Sequence, residues 1–305
     1  MLVIYLELIF MVVVWGFSFV VVDIAGEFIP PLSIALYRFI IASITFIIID
    51  LYLKLKRKKN LSSNGKITKF SKKNWFYIIL ASFTGVSFFF FAQYSAIQII
   101  GPSLPALFVC LLAPVIIAFL ALIFFKKELN LSKIIGFVIA TIGGFLLITG
   151  GNLENLTPTS PNFLGYLFAL ITPFLWAFYS MLTKKASKDQ SNMVMLKYIA
   201  YLGTVELLIF VLISNEFWIF IANFLNIILF LCALYTGILC YVLGYFIWQN
   251  SQTKLKSSKV ASFLYIEPFI TLLFSILFKR SETIVIWNIF GGIIVLIAVL
   301  IINYK

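Results

Sequence analysis

The chain has 305 residues, 63% of them apolar and only 11% charged, with 34 Phe, no His and a net charge of +12. A soluble domain runs near half apolar and about a quarter charged, so this composition excludes a water-soluble globule and specifies a protein dissolved in a bilayer. The missing His removes the commonest general base, zinc ligand and neutral-pH proton shuttle, and neither a cofactor nor a metal site is expected.

Apolar runs separated by polar or Pro-containing breaks fall at about 2–23, 32–53, 75–98, 103–125, 131–150, 163–183, 193–213, 226–250, 260–278 and 284–304. At about 20 residues per span these predict ten transmembrane helices, since lipid offers no partner to free backbone groups. The first run has no basic residue ahead of it and no small-residue cleavage pattern after it, which predicts a retained span.

Basic residues set orientation, because cytoplasmic loops retain excess Lys and Arg. With the N-terminus inside, the even-numbered connections and the C-terminus carry 20 of the 23 basic residues, in groups at 54–73, 126–133, 184–197, 254–259 and 305. The odd connections hold only Lys279 and Arg280, and Arg38 lies within a span. This alternation predicts a multi-pass plasma-membrane protein with both termini cytoplasmic. It also accounts for the positive charge through topology and lipid headgroups, without nucleic acid. Cys110, Cys232 and Cys240 all lie within spans, odd in number and without metal spacing, and read as small packing residues.

One offset recurs along the chain. Adding 154 takes Pro114 to Pro268 and Glu128 to Glu282. The same offset takes Ser87, Phe91, Tyr94 and Gln98, which share one helical face, to Tyr241, Tyr245, Trp248 and Gln252, again one face. Five spans per half is odd, so the second half enters the membrane upside down relative to the first. The expected fold is an all-α polytopic membrane protein, ten transmembrane helices built as two inverted five-helix repeats at 1–152 and 162–305. Secondary transporters use this construction, with the substrate site near mid-membrane between the halves.

The run from Ala106 to Pro114, continuing through Phe124-Phe125-Lys126-Lys127-Glu128 to Gly136 and Gly143-Gly144, resembles the EamA family of the drug/metabolite transporter superfamily. The second copy repeats it with Pro268, the 279–282 segment ending in Glu282, and Gly291-Gly292. Trp15-Gly16 and Arg38 are also similar to that family. Two departures stand out: Trp176-Ala177 replaces Trp-Gly, and Glu267 precedes Pro268 where the first copy has Ala113. The resemblance implies a ten-helix carrier with cytoplasmic termini, often exporting amino acids or other small metabolites, in some members against protons.

Ionisable groups inside a membrane are costly and therefore functional candidates. Glu267 lies eight residues beyond Lys259, about 12 Å inside the cytoplasmic boundary, with Thr271 and Ser275 completing a polar stripe. Glu206 lies about 13 Å in, nine residues past Lys197. Either carboxylate could bind a substrate amine or take up a proton. The alternative is a protonated carboxyl bonded to a neighbouring helix or paired with Arg38. Arg38, seven residues past Pro31, could bind a substrate carboxylate or phosphate, or else snorkel outward or pair with Asp23 or Glu27.

Tyr94, Gln98, Tyr241, Tyr245, Trp248 and Gln252 could line a cavity or anchor at the interface, and Trp15 and Trp176 carry the same two readings. Pro114 and Pro268 should kink or loosen their helices, as gates or as static bends. The glycine pairs admit a close helix crossing or a homodimer face. No P-loop occurs and the polar segments are too short for a nucleotide-binding domain. The sequence thus points to a secondary carrier, not an enzyme, moving a small-molecule metabolite by alternating access, with proton coupling left open. A membrane enzyme, and a channel or scaffold, are the alternatives.

Overall fold

Free amide and carbonyl groups find no water in the bilayer core, so apolar runs of this length satisfy their backbone internally as helices. The computed structural model describes residues 2–59, 71–125, 131–186, 191–255, 260 and 262–303, and every regular element among them is helical. Glu128 and the basic residues Lys66, Lys69, Lys126, Lys127, Lys188, Lys256, Lys259 and Lys305 lie outside the described residues.

The helices are α1 (Leu2–Ala25), α2 (Pro31–Lys59), α3 (Lys72–Ile100), α4 (103–125), α5 (Leu131–Thr149), α6 (Phe163–Ala186), α7 (Asn192–Ile213), α8 (Ile227–Lys254), α9 (Phe263–Leu277) and α10 (Ile286–Asn303). A short helix, Phe217–Asn223, connects α7 to α8. Among the described residues, α1 to α8 have the length and hydropathy of membrane spans, while α9 and α10 are shorter apolar helices at the ninth and tenth expected runs. The chain is a multi-pass, all-α membrane protein.

Irregular turns follow the 154-residue offset. The π-helical turn Phe83–Ser87 in α3 maps onto 237–241, inside the longer π segment Tyr235–Tyr245 of α8. The π turn Phe108–Leu112 in α4 maps onto the 3-10 turn Ser262–Ile266 that opens α9. Both prolines therefore sit just after an irregular turn, where their missing N–H and ring are accommodated. Pro114 is the second residue of the α-helix that follows the π turn. Pro268 is likewise the second residue of the α-helix Glu267–Leu277, a position where proline costs least because the N–H has no intrahelical partner.

The glycine pairs serve an internal crossing. A Cβ added at Gly291 would stand 2.3 Å from the Leu147 nitrogen and 2.7 Å from the Gly143 oxygen, so α5 and α10 touch backbone to backbone. Gly144 and Gly292 face Leu112 and Leu111 of α4. The glycine face is thus occupied within the chain, and association with a second copy would need another surface. The outer flanks of this pair, with Val138, Ile142 and Phe145 on α5 and Phe290, Ile293 and Ile297 on α10, are exposed and apolar, as lipid contact requires.

Polar ties gather at one end of the bundle. Arg280, after α9, pairs with Asp23 and, at 2.7 Å, with Glu27, both at the end of α1. Glu282 accepts from the Ser103 hydroxyl and from its backbone amide at 3.3 Å, closing over the start of α4. Glu216 accepts from the Ser33 hydroxyl at 2.9 Å, joining the start of α2 to the α7–α8 connection. At the opposite end Lys197 pairs with Asp50 at 2.7 Å.

Candidate transport cavity

Seven helices, α1 to α4, α6, α8 and α9, surround a cavity with about 460 Å³ of atom-free space, its opening included. Its lining combines aromatic rings with a few polar groups. Such a cavity suits a small ligand with an apolar body and fixed polar ends.

α1 supplies Trp15, Ser18 and Phe19. The Trp15 indole donates to the Cys240 carbonyl at 2.9 Å, within the π segment of α8, which fixes its ring. That ring meets Trp176 of α6 edge-on at 5.8 Å and Tyr245 of α8 at 5.5 Å. Trp176 also lines the cavity, and its buried indole nitrogen has no hydrogen-bond partner among the described residues.

Arg38 reaches the cavity from α2 and is only 3% exposed. Its Nη1 donates to the Tyr94 hydroxyl at 2.7 Å, and its guanidinium lies 4.1 Å from the centre of the Phe90 ring. Its Nε is buried without a partner among the described residues. The expected alternatives of outward snorkelling or pairing with Asp23 or Glu27 are not realised: Arg280 occupies both carboxylates, because it sits at the same end of the bundle while Arg38 points inward.

Glu267 enters from the first turn of the α-helix in α9, 4% exposed. The Cys110 thiol of α4 stands in hydrogen-bonding contact with its carboxyl, and Oε2 has no partner among the described residues. Close approach of α9 to α1 puts it there. A Cβ on Gly16 would lie 3.0 Å from the Glu267 carbonyl, and the Thr271 hydroxyl donates to the Gly16 carbonyl at 2.9 Å. Thr271 therefore ties helices together behind the cavity. No ion pair joins Glu267 to Arg38 among the described residues, so the expected alternative of a direct pair is not realised. Two ionisable groups of opposite type line one cavity with unused polar atoms, and a polar ligand or water that bonds them offsets the cost of burying them unsatisfied.

Other residues singled out from the sequence lie elsewhere. Glu206 does not line the cavity: the Ser82 and Ser87 hydroxyls each donate to it at 2.6 Å, so it clamps α7 onto the π turn of α3. Gln98 is exposed and donates to the Ile29 carbonyl at 3.2 Å, near one end of the bundle. Tyr241 is fully buried, donating to the Leu196 carbonyl at 3.1 Å. Trp248 is buried behind the cavity, 5.9 Å from both Trp15 and Trp176, and the half-buried Gln252 lies a turn further on. Of the repeated stripes, Tyr245 lines the cavity and Tyr94 supports it through Arg38.

Sequence reasoning missed Phe89, Phe90 and Gln93 on α3, together with Cys110. The stripe from Ser87 through Phe91, Tyr94 and Gln98 runs along the regular α-helix Phe88–Ile100, and the cavity takes the adjacent face of that helix, with Phe89, Phe90 and Gln93. Gln93 is buried and adjacent to Tyr94, a polar group in a phenylalanine run that could have been flagged by that contrast alone.

Comparison with known proteins agrees with this architecture. The model of the EamA-like transporter family matches the chain twice, over residues 2–149 and 163–304. An uncharacterized transporter of Archaeoglobus fulgidus is 26% identical over 291 residues, covering 94% of this chain and 92% of that protein. The uncharacterized transporter YyaM of Bacillus subtilis is 25% identical over 297 residues, covering 97% of this chain and 92% of its own. A solved crystal structure superposes with a TM-score of 0.61 over 98% of this chain and 95% of that one, at 13% identity, a likeness of fold alone.

Proposed function

The chain belongs to the EamA-like transporter family and is a membrane transporter, and from its cavity we propose a secondary active carrier of a small organic metabolite, an amino acid or similar compound. The carrier works by alternating access, with the repeats at 1–152 and 162–305 rocking about the central cavity in the direction of export. Both termini face the cytoplasm of a plasma membrane, as the asymmetry of Lys and Arg supports. The observation that carries the reading is the presence of both Arg38 and Glu267 in one aromatic-walled cavity, each with an unused polar atom. Glu267 holds the amino group of the substrate or, when the substrate has left, a proton, which couples transport to the proton gradient.

The test is counterflow in proteoliposomes. Saturable, accelerated exchange of a labelled metabolite supports a carrier. Flux without saturation indicates a channel, absence of flux a scaffold, and chemical conversion of the solute an enzyme. Full transport with unchanged pH dependence in Glu267→Gln rules out the coupling role.

A further inference from the structure

We propose that Arg38 forms a subsite for a substrate carboxylate and that Tyr94 is the residue that positions it. The inference rests on the carrier reading above and adds which end of the substrate is held, and how. Arg38 is held on two sides by its own protein. Nη1 is fixed by the Tyr94 hydroxyl at 2.7 Å, and the flat face of the guanidinium rests on Phe90 at 4.1 Å. Those contacts consume one corner and one face. The side edge, made of Nε and Nη2, has no hydrogen-bond partner among the described residues, and Nε is buried while the side chain lines the cavity. This edge offers two parallel N–H donors, the spacing that a planar carboxylate accepts in bidentate fashion.

Tyr94 itself does not line the cavity. It is 1% exposed, and its ring packs 5.3 Å from Phe90, so the hydroxyl is delivered by a side chain locked in the core. Without that bond the guanidinium could rotate about its last torsions and present another edge. The Trp176 indole and the Gln93 amide line the same cavity, and the Trp176 nitrogen is unpartnered. Arg38 thus presents a charged fork within a cavity that also carries neutral polar groups, which favours an anion with two coplanar oxygens.

The experiment measures thermal stabilisation of the purified full chain by each proteinogenic amino acid, by its carboxamide, by simple mono- and dicarboxylates and by inorganic phosphate. The expected result is at least one compound that stabilises as the carboxylate and not as the carboxamide. Tyr94→Phe should weaken that carboxylate about tenfold, consistent with loss of a bond to a charged group, while leaving the weak binding of the carboxamide unchanged. Arg38→Gln should abolish the difference between the two, and Arg38→Lys should not restore it.

The subsite is overturned if no carboxylate is preferred across the panel, if phosphate stabilises in preference to every carboxylate, or if Tyr94→Phe and Arg38→Gln keep the native discrimination. Melting without ligand reports whether Tyr94→Phe is folded; if it is not, Phe90→Leu, which removes the stacked face, carries the same comparison. Carboxylate-selective binding without saturable counterflow sinks the carrier reading and leaves the subsite standing. Saturable counterflow indifferent to the carboxylate does the reverse.

Discussion

Arg38 and Glu267 line the same cavity from α2 and α9 and form no ion pair with each other. A buried carboxylate with an unused oxygen lowers stability, so Glu267→Gln should leave the melting temperature unchanged or raised. Counterflow should fall at least about tenfold where the substrate amine is charged, because an amide removes the attraction and the proton site together. A fall in both melting temperature and transport would indicate a structural role instead.

Ser82 and Ser87 should behave in the opposite way. Each hydroxyl donates to Glu206 at 2.6 Å away from the cavity. Ser82→Ala or Ser87→Ala should cost about 1–3 kcal/mol by leaving a carboxyl oxygen unsatisfied. The half-saturating substrate concentration should stay as in the native protein. Thermal unfolding and transport assays on the same preparations separate these effects.

The α5–α10 crossing predicts a contrast between neighbouring glycines. Gly291→Ala places a methyl 2.3 Å from the Leu147 nitrogen, against backbone that cannot yield without separating the helices. Overpacking of this kind costs about 1–3 kcal/mol. Gly144→Ala meets only the Leu112 side chain, at 3.5 Å, and should be tolerated. Equal melting temperatures for the two variants would contradict the crossing.

Two carboxyls outside the spans predict a pH dependence of stability. Burial raises Glu282 above its ordinary value of 4.5, opposed by its bonds from Ser103, and burial likewise raises Glu216 against its bonds from Ser33. A carboxyl raised in the folded state binds its proton more tightly there than in the unfolded chain. Its contribution is therefore fully present below 4.5 and is lost as pH rises through the folded value. Thermal stability should decline as pH rises above 4.5, and Glu216→Gln combined with Glu282→Gln should flatten that decline. An unchanged slope in the double variant would contradict it.

The apolar runs, the doubled Pro landmarks and the glycine pairs made the helices and the repeat legible, because a span must be apolar along its length and a close crossing needs small residues. Glu267, Arg38, Trp15, Trp176 and Tyr245, which line the cavity, were legible as candidates for a related reason: a charge or a recurrent ring inside a bilayer stands out against its neighbours. Gln98, Gln252 and Tyr241 were assigned to the cavity by helical phase; the π segment Tyr235–Tyr245 breaks that phase between Tyr241 and Gln252, while Gln98 lies near the end of the bundle against the Ile29 carbonyl. Predicted depth in the bilayer does not distinguish Glu206 from Glu267. Their environments differ because two serines of α3 meet one, and a cavity meets the other.

The sequence by itself determined that this protein lives in a membrane, that its helices come in two related sets, and that few charges enter the bilayer. Transfer energies and backbone satisfaction act residue by residue, so composition and periodicity carry them. Only the tertiary structure decided that Arg280 takes Asp23 and Glu27 while Arg38 turns to Tyr94, and that Glu267 is left facing the cavity. Those outcomes depend on which side chains from distant helices the packing brings within reach of one another, and a linear pattern holds no record of that.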